Sequence, residues 1–198
     1  MQPDVEAWDP WHPRDFAARM GGADFPWYVA AGWAIDLFLG TRTRDHEDLE
    51  IAVPSSFFGT LPPRFPEMDF WVPQGELQLA RMTTETLAGE SHQTWAYERA
   101  AQVWRFDVFR EPHEGDTWIC RRDESIRRPY SQIIGVTADG IPYLMPEVCL
   151  LFKAKAARDK DRADFDAAMP RLSEAQRQWL HDALVKVHPG HEWISATE

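Results

Sequence analysis

Hydrophobic positions recur along the chain with two different periods, one typical of strands and one typical of helices. The strand-like period covers residues 27–31, 48–53, 69–72, 77–82, 103–109, 117–121 and 141–144. The helical period covers residues 13–20, 33–39, 55–61, 146–155, 162–169 and 173–187. Residues 83–98 fit a helix and a loop equally well. Because the strand-like runs end before residue 145, we predict an α+β core over residues 1–144 and a C-terminal helical region over residues 145–198, packed on the core.

Residues 28–53 contain the most informative local pattern. An apolar run leads into Ala31 and Gly32, and an amphipathic segment then continues to Gly40. This order predicts a strand, a tight turn, a helix and a glycine stop. Glycine at such a turn lets the backbone approach a phosphate closely, and the helix start offers unpaired N–H groups to an anion. Ala31 and Gly32 are therefore candidate nucleotide-binding residues.

The loop that follows is basic and polar. Arg42, Thr43 and Arg44 are candidate ligands of a nucleotide's phosphates. The two arginines would pair equally well with the neighbouring acids Asp45 and Glu47. The sequence leaves both alternatives open.

Asp48 and Glu50 lie two residues apart in the next strand-like run. Successive side chains of a strand point to opposite faces, so these acids share one face while Leu49 and Ile51 point into the core. Two carboxylates on one face are a common way to hold a divalent metal ion. A pair of ordinary surface acids is the alternative, and the glycine turn upstream disfavours it.

This segment resembles the signature of the nucleotidyltransferase superfamily with the polymerase-β-like fold. Within that superfamily it is most similar to the aminoglycoside and lincosamide nucleotidyltransferases. The matching positions are Gly32, Trp33, Asp36, Gly40, Thr43, Arg44, His46 and Asp48. The chain departs from the family pattern at two positions, because Ala31 replaces the usual first glycine and Glu50 replaces the usual second aspartate. The resemblance implies a mixed sheet flanked by helices, with a C-terminal helical region.

The resemblance also implies a third acid on a later strand, for which Asp107 is the candidate. A charge among β-branched and aromatic residues is costly unless a partner or a metal lies there. Asp107 would complete the metal shell formed with Asp48 and Glu50, or take the proton from an attacking hydroxyl. An ion pair with Arg105 or Arg110 is the structural alternative.

A second, weaker likeness to the family begins at Pro146 and continues through residue 165. A proline followed by Glu147 is suitable chemistry for a helix start. The resemblance implies that Lys153, Lys155 or Lys160 reaches the triphosphate or the leaving pyrophosphate. We take Lys153 and Lys155 as candidate nucleotide-binding residues.

The net charge of the chain disfavours one class of partner. The chain has 21 Lys and Arg against 32 Asp and Glu, a formal net charge of −11, and such a balance disfavours nucleic acid polymers. Its two cysteines have no metal-ligand spacing, which fits a reducing compartment. We find no apolar run of membrane-spanning length and no apolar leader, so we expect a cytoplasmic protein without membrane contacts.

Taken together, the resemblance implies a magnesium-dependent adenylyltransferase that moves AMP from ATP to a hydroxyl of a small acceptor. The acceptor would be an aminoglycoside-like antibiotic or a related aminosugar, two Mg²⁺ ions would be expected, and the protein would be a monomer or a homodimer. Six tryptophans either line an acceptor cleft or belong to the core: Trp8, Trp11, Trp71, Trp95, Trp104 and Trp118. The departures at Ala31 and Glu50 leave open a catalytically weakened nucleotide-binding or interaction protein. A toxin-like enzyme that modifies proteins is the other alternative.

Overall fold

The computed structural model describes residues 2–75, 78–89 and 91–197, and it has the predicted α+β fold. The strands are β1 (Tyr28–Val29), β2 (Glu50–Pro54), β3 (Met68–Pro73), β4 (Leu79–Arg81), β5 (Gln93–Glu98), β6 (Val103–Glu111), β7 (His113–Glu114), β8 (Thr117–Ile119), β9 (Arg127–Pro129), β10 (Ile134–Val136) and β11 (Pro142–Leu144). The helices are α1 (Pro13–Arg19), α2 (Ala31–Leu39), α3 (Thr84–Leu87), α4 (Tyr130–Ile133), α5 (Pro146–Lys153), α6 (Asp159–Ala168), α7 (Glu174–Val187) and α8 (Trp193–Ala196). Short 3₁₀ helices cover Ser55–Thr60, Pro62–Arg64 and Met169–Arg171.

The chain forms two compact units. The first contains Met1–Val29 and His46–His113, and the second contains Ala30–Asp45 and Glu114–Glu198. The α2 helix and the loop after it thus group with the C-terminal helices rather than with the strands around them in sequence. The predicted division at residue 144, based on where strand-like runs end, stays a prediction.

A mixed sheet forms the first unit, in the order β1-β2-β6-β5-β3-β4. Strands β2 and β6 run parallel, and the other neighbouring pairs are antiparallel. Helix α1 covers one face through Phe16, whose ring contacts Phe65 and Phe106 at centroid distances of 5.4 and 4.9 Å. Because all three rings are fully buried, they anchor this face of the sheet.

Helices dominate the second unit. Helix α2 packs against α5 and α6, and α5 packs against α7. Gly40 ends α2 in the left-handed conformation at φ 72°, as the predicted glycine stop requires. Ser173 caps α7, and its hydroxyl accepts a hydrogen bond from the backbone N–H of Gln176. No helix in the described ranges is both long and apolar enough to cross a membrane.

Most predicted elements are present, with shifts at their ends. The first strand is shorter than predicted, since Ala31 already belongs to α2. Asp48 lies just before β2 rather than inside it. The ambiguous residues 83–98 contain both α3 and β5. Leu77, predicted to start a strand, lies outside the described residues. The prediction did not include the short elements β7, β9, α4, β10 and α8.

Candidate active site

The predicted third acid lies beside the predicted pair in the first unit. Glu50 on β2 and Asp107 on β6 are partners in a parallel register. The backbone N–H of Asp107 donates to the carbonyl of Leu49 at 2.8 Å, which fixes the two strands at this level. Asp48 precedes Glu50 by two residues, and both of these acids are half-buried. The sheet register therefore places Asp107 beside Glu50, although the two acids are distant in sequence.

Asp107 has an unusual environment for a carboxylate. Its side chain is buried, and Gln93 donates a 2.6 Å hydrogen bond to Oδ2. Its Oδ1 atom has no hydrogen-bond partner among the residues that the structure describes. Burial raises the pKa of Asp107, the hydrogen bond from Gln93 opposes the rise, and the charge of Asp48 adds to it. With smaller opposing contributions from the backbone of Thr94 and Val108, the resulting pKa is about 7. A carboxyl group with a buried, unsatisfied oxygen is a candidate for binding a cation or a proton.

The three acids offer only hard oxygen ligands, which suit Mg²⁺. The unsatisfied Oδ1 of Asp107 is the observation that fits a cation at this place. As the side chains stand, however, the described ranges contain no group of three or more His, Cys, Asp or Glu residues gathered closely enough to hold a metal ion. The half-buried Asp48 and Glu50 would have to turn toward Asp107 to ligate one.

The predicted phosphate-binding turn lies in the second unit. Ala31 is the first residue of α2 and has a φ of 48°, in the left-handed region that favours glycine. This conformation explains why a glycine is usual at that position in the resembling family. The carbonyl of Ala31 accepts a hydrogen bond from the Cys149 thiol at 3.1 Å, and Gly32 is buried behind it. The turn is therefore held firmly despite the unfavourable φ of Ala31.

Side-chain bonds within the second unit fix the basic loop. Thr43 donates to Asp36 Oδ1 through its backbone N–H at 3.1 Å and through its hydroxyl at 2.5 Å. Arg42 donates to Asp45 at 2.8 Å, and its guanidinium lies 5.5 Å from the centre of the Trp33 ring. The structural alternative for Arg42, an ion pair with a neighbouring acid, is thus present. Binding of phosphate by Arg42 and Thr43 stays a prediction.

Two further cationic candidates belong to a buried ion-pair network. Lys153 contacts Asp161 at 2.9 Å and Asp164 at 2.7 Å, and Arg44 also pairs with Asp164 at 3.1 Å. Burial alone would lower the pKa of Lys153, but Cys149, Asp164 and Asp161 together raise it. These contacts give Lys153 and Arg44 a structural role, and their binding of phosphate stays a prediction. Lys155 is exposed.

Gln93 is a site residue that sequence reasoning missed. It belongs to β5, within the segment whose pattern fitted a helix and a loop equally well. Trp95, which is in register with Asp107, was recognised only as one of six scattered tryptophans. Thr94, Trp95 and Tyr97 are β-branched or aromatic residues that favour a strand, and this sequence signal would have placed Gln93 and Trp95 on one.

Part of the chain matches a known protein family in sequence. A family model described as aminoglycoside-2''-adenylyltransferase matches residues 14–67. This range contains the α2 turn, the basic loop and the pair Asp48 and Glu50. No curated protein sequence matches the chain.

Solved structures share the fold over most of the chain. The solution structure of the antibiotic-resistance factor ANT(2'')-Ia matches at 15% identity with a TM-score of 0.59, covering 93% of this chain and 95% of that one. A crystal structure of ANT(2'')-Ia in complex with adenylyl-2''-tobramycin matches at 16% identity and a TM-score of 0.59, over 87% and 94% of the two chains. The lincomycin-bound lincosamide antibiotic adenylyltransferase LnuA matches at 12% identity and a TM-score of 0.54, over 78% and 92%.

At these identities the structural likeness is one of fold, and the family model adds a match in sequence over the segment that carries the predicted chemistry. The predicted resemblance and the predicted fold class are both confirmed. The chain therefore has the fold of the aminoglycoside and lincosamide nucleotidyltransferases and, in residues 14–67, a sequence match to the aminoglycoside-2''-adenylyltransferase family model.

Proposed function

We propose that this protein is a metal-dependent adenylyltransferase that moves AMP from ATP to a hydroxyl of a small aminosugar-type acceptor. The observation that carries the proposal is Asp107, a buried acid in register with Glu50 that has one oxygen without a hydrogen-bond partner among the described residues. Neither the fold nor the surface charge requires such a group. Transfer of a nucleotide to a hydroxyl does require it, as a metal ligand or as a base.

In this proposal Asp48 and Glu50 would hold Mg²⁺, and Asp107 beside them would act as the base for the acceptor hydroxyl. Bound Mg²⁺ supplies positive charge that stabilises the α-phosphoryl group and the leaving pyrophosphate. Gln93 holds Oδ2 of Asp107 and so keeps Oδ1 in a fixed position. With a pKa of about 7, Asp107 is matched to accepting a proton at neutral pH.

The reaction would be a single displacement at the α-phosphorus of ATP. The acceptor oxygen forms a bond to the α-phosphorus of ATP, and the bond from that phosphorus to the bridging oxygen of the β-phosphate breaks. Pyrophosphate leaves with the electron pair of that bond, and the acceptor's proton goes to Asp107 Oδ1. We propose the turn at Ala31 and Gly32, together with Arg42, Thr43, Arg44, Lys153 and Lys155, as the residues from which the phosphate contacts come.

The acceptor class rests on the family pattern and on charge. The ANT(2'')-Ia and LnuA structures contain antibiotics or an adenylylated antibiotic. An aminosugar is cationic, and the net charge of −11 favours its approach. Tobramycin and lincomycin are therefore suitable first acceptors for this chain.

The test is transfer itself. The protein is incubated with Mg²⁺, ATP and tobramycin, lincomycin or glucosamine, and the adenylylated acceptor is detected by mass spectrometry together with released pyrophosphate. We expect an adduct that needs Mg²⁺ and disappears in Asp48→Asn, while the variant keeps the far-ultraviolet circular dichroism of the unmodified protein. Full turnover by Asp48→Asn would contradict the metal assignment.

Two other outcomes would favour the alternatives left open by the sequence. Binding of ATP without adduct or pyrophosphate would support a catalytically weakened nucleotide-binding protein. Labelled protein in a lysate supplied with labelled ATP, without any labelled small acceptor, would support an enzyme that modifies proteins.

A further inference from the structure

A row of side chains crosses the sheet of the first unit at the level of the acids. Arg81 on β4 lies opposite Trp71 on β3, and Trp71 lies opposite Trp95 on β5. Trp95 lies opposite Asp107 on β6, and Asp107 lies opposite Glu50 on β2. Residues directly opposite one another point to the same face of a sheet, and neighbouring strands are about 4.8 Å apart. The row thus has acids at one end and two indole rings next to them.

Trp95 is the more exposed of the two indole rings in this row. Trp71 is buried, and the Arg81 guanidinium lies 5.1 Å from the centre of its ring. Trp95 is only half-buried. Its ring makes edge contacts with Trp8 at 5.2 Å and with Trp104 at 5.4 Å, at interplanar angles of 71° and 73°. These contacts hold the ring in one orientation and leave part of it accessible.

The surroundings of Trp95 favour a cationic ring with hydroxyl groups. An aromatic face attracts cations and packs well against apolar C–H groups, such as those on one face of a sugar ring. Asp107 lies on the neighbouring strand, and Glu50 lies one strand further along the same row. These acids attract ammonium groups and repel anions. A sugar ring stacked on Trp95 would lie on the strand next to that of Asp107.

We propose that Trp95 is the platform on which the sugar ring of a cationic aminosugar acceptor stacks, a role that rests on the proposed function. Trp8 and Trp104 position this platform, and the acids give it preference for amine-bearing sugars. A neutral sugar keeps the stacking contact but loses the attraction to the acids. A simple aliphatic amine keeps the attraction but lacks the hydroxylated ring.

Direct binding tests the platform without any transfer reaction. Saturation-transfer NMR is recorded on the full chain with glucosamine, glucose or cyclohexylamine, in the absence of ATP and metal. We expect glucosamine to bind more tightly than either comparison compound. We expect Trp95→Leu to weaken glucosamine binding at least about tenfold and Trp95→Phe to weaken it no more than about threefold, because phenylalanine keeps an aromatic face.

Trp27→Leu is the matched control, since Trp27 is also half-buried in the first unit and makes an edge contact with Phe16 at 5.4 Å. It should leave glucosamine binding unchanged, and thermal melting of all three variants should stay cooperative. Equal glucosamine binding by Trp95→Leu and the unmodified protein would overturn the platform. So would equal weakening by Trp27→Leu, or glucose binding as tight as glucosamine.

The binding assay separates this inference from the proposed function. Glucosamine binding that depends on Trp95, in a protein that transfers AMP to no acceptor, would overturn the proposed function and support the platform. Transfer that depends on Asp48 but whose KM for the acceptor is unchanged in Trp95→Leu would do the reverse.

Discussion

Glu50 and Asp107 lie directly opposite each other on the neighbouring parallel strands β2 and β6. The half-buried Glu50 and the buried Asp107 thereby place two acids side by side at one level of the sheet. Such an arrangement is unfavourable unless a proton or a cation compensates it. The free-energy cost of placing these two acids together should therefore be measurable in the protein without metal or nucleotide.

Replacing Asp107 by asparagine should remove a pH-dependent loss of stability. The pKa of Asp107 is raised to about 7 by burial and by Asp48, so the folded protein holds this proton more tightly than the unfolded chain. The group's contribution to stability is complete below about pH 4 and is lost as the pH rises to about 7. At pH 8, Asp107→Asn should be more stable than the unmodified protein by up to about 4 kcal/mol.

Urea unfolding at pH 4.5 and pH 8, without divalent metal, measures this difference. The two proteins should differ little at the lower pH and clearly at the higher one. The same change in unfolding free energy between the two pH values in both proteins would show that Asp107 ionises normally.

Gln93 should tune the proton affinity of Asp107 during transfer. Its 2.6 Å hydrogen bond to Oδ2 lowers the pKa of Asp107. Gln93→Met removes that bond, so the acidic limb of the pH profile of kcat/KM should move to higher pH. The exposed Gln178 offers a control, because Gln178→Met changes a side chain of the same size in α7. A profile that moves equally in both variants, or in neither, would count against Gln93 as a positioning residue.

Ala31→Gly should stabilise the protein. Ala31 has a φ of 48°, a conformation that costs an alanine roughly 1 kcal/mol and costs glycine little. After the greater flexibility of glycine in the unfolded chain is subtracted, we expect a gain of about 0.5 kcal/mol in urea unfolding. Ala34→Gly, inside the same helix and fully buried, should instead destabilise by about 1 kcal/mol or more. A loss of stability in both variants would contradict the strain at Ala31.

Lys153 and Lys155 should separate structure from nucleotide binding. Lys153→Met removes the cation that Asp161 and Asp164 share, while Arg158 and Arg44 still pair with them, so it should cost about 1.5–3 kcal/mol of unfolding free energy. Lys155 is exposed, and Lys155→Met should change stability by less than about 0.5 kcal/mol. If Lys155 binds phosphate as proposed, its variant should raise the KM for ATP without loss of stability. A stable Lys153→Met protein would show that the network does not depend on this lysine.

The sequence was most informative where chemistry and secondary structure coincide in one short segment. Residues 28–53 contain the turn, the helix, its glycine stop and the acid pair, and the structure places α2 and β2 there. The family resemblance located Asp107, but it did not locate Gln93, which donates a hydrogen bond to Asp107. The register that brings Asp107 beside Glu50 and Gln93 depends on pairing between distant strands, which local periodicity does not contain.

The acids that pair with Lys153 and Arg44 could not be predicted from the sequence either. Lys153 and Arg44 have the charge that a phosphate requires, but the fold brings Asp161 and Asp164 to them from α6. The sequence did not predict the positive φ of Ala31, although the glycine that is usual there in the family indicated the position where such a φ would occur.

The proposed function depends above all on a metal-dependent nucleotide site that needs Asp48. Isothermal titration calorimetry with a non-hydrolysable ATP analogue, with and without Mg²⁺, on the unmodified protein and on Asp48→Asn tests it most directly. We expect binding by the unmodified protein in Mg²⁺ and a loss of at least about tenfold in affinity when either Mg²⁺ or the Asp48 carboxylate is removed. Equal binding by Asp48→Asn, or binding that is indifferent to Mg²⁺, would contradict it.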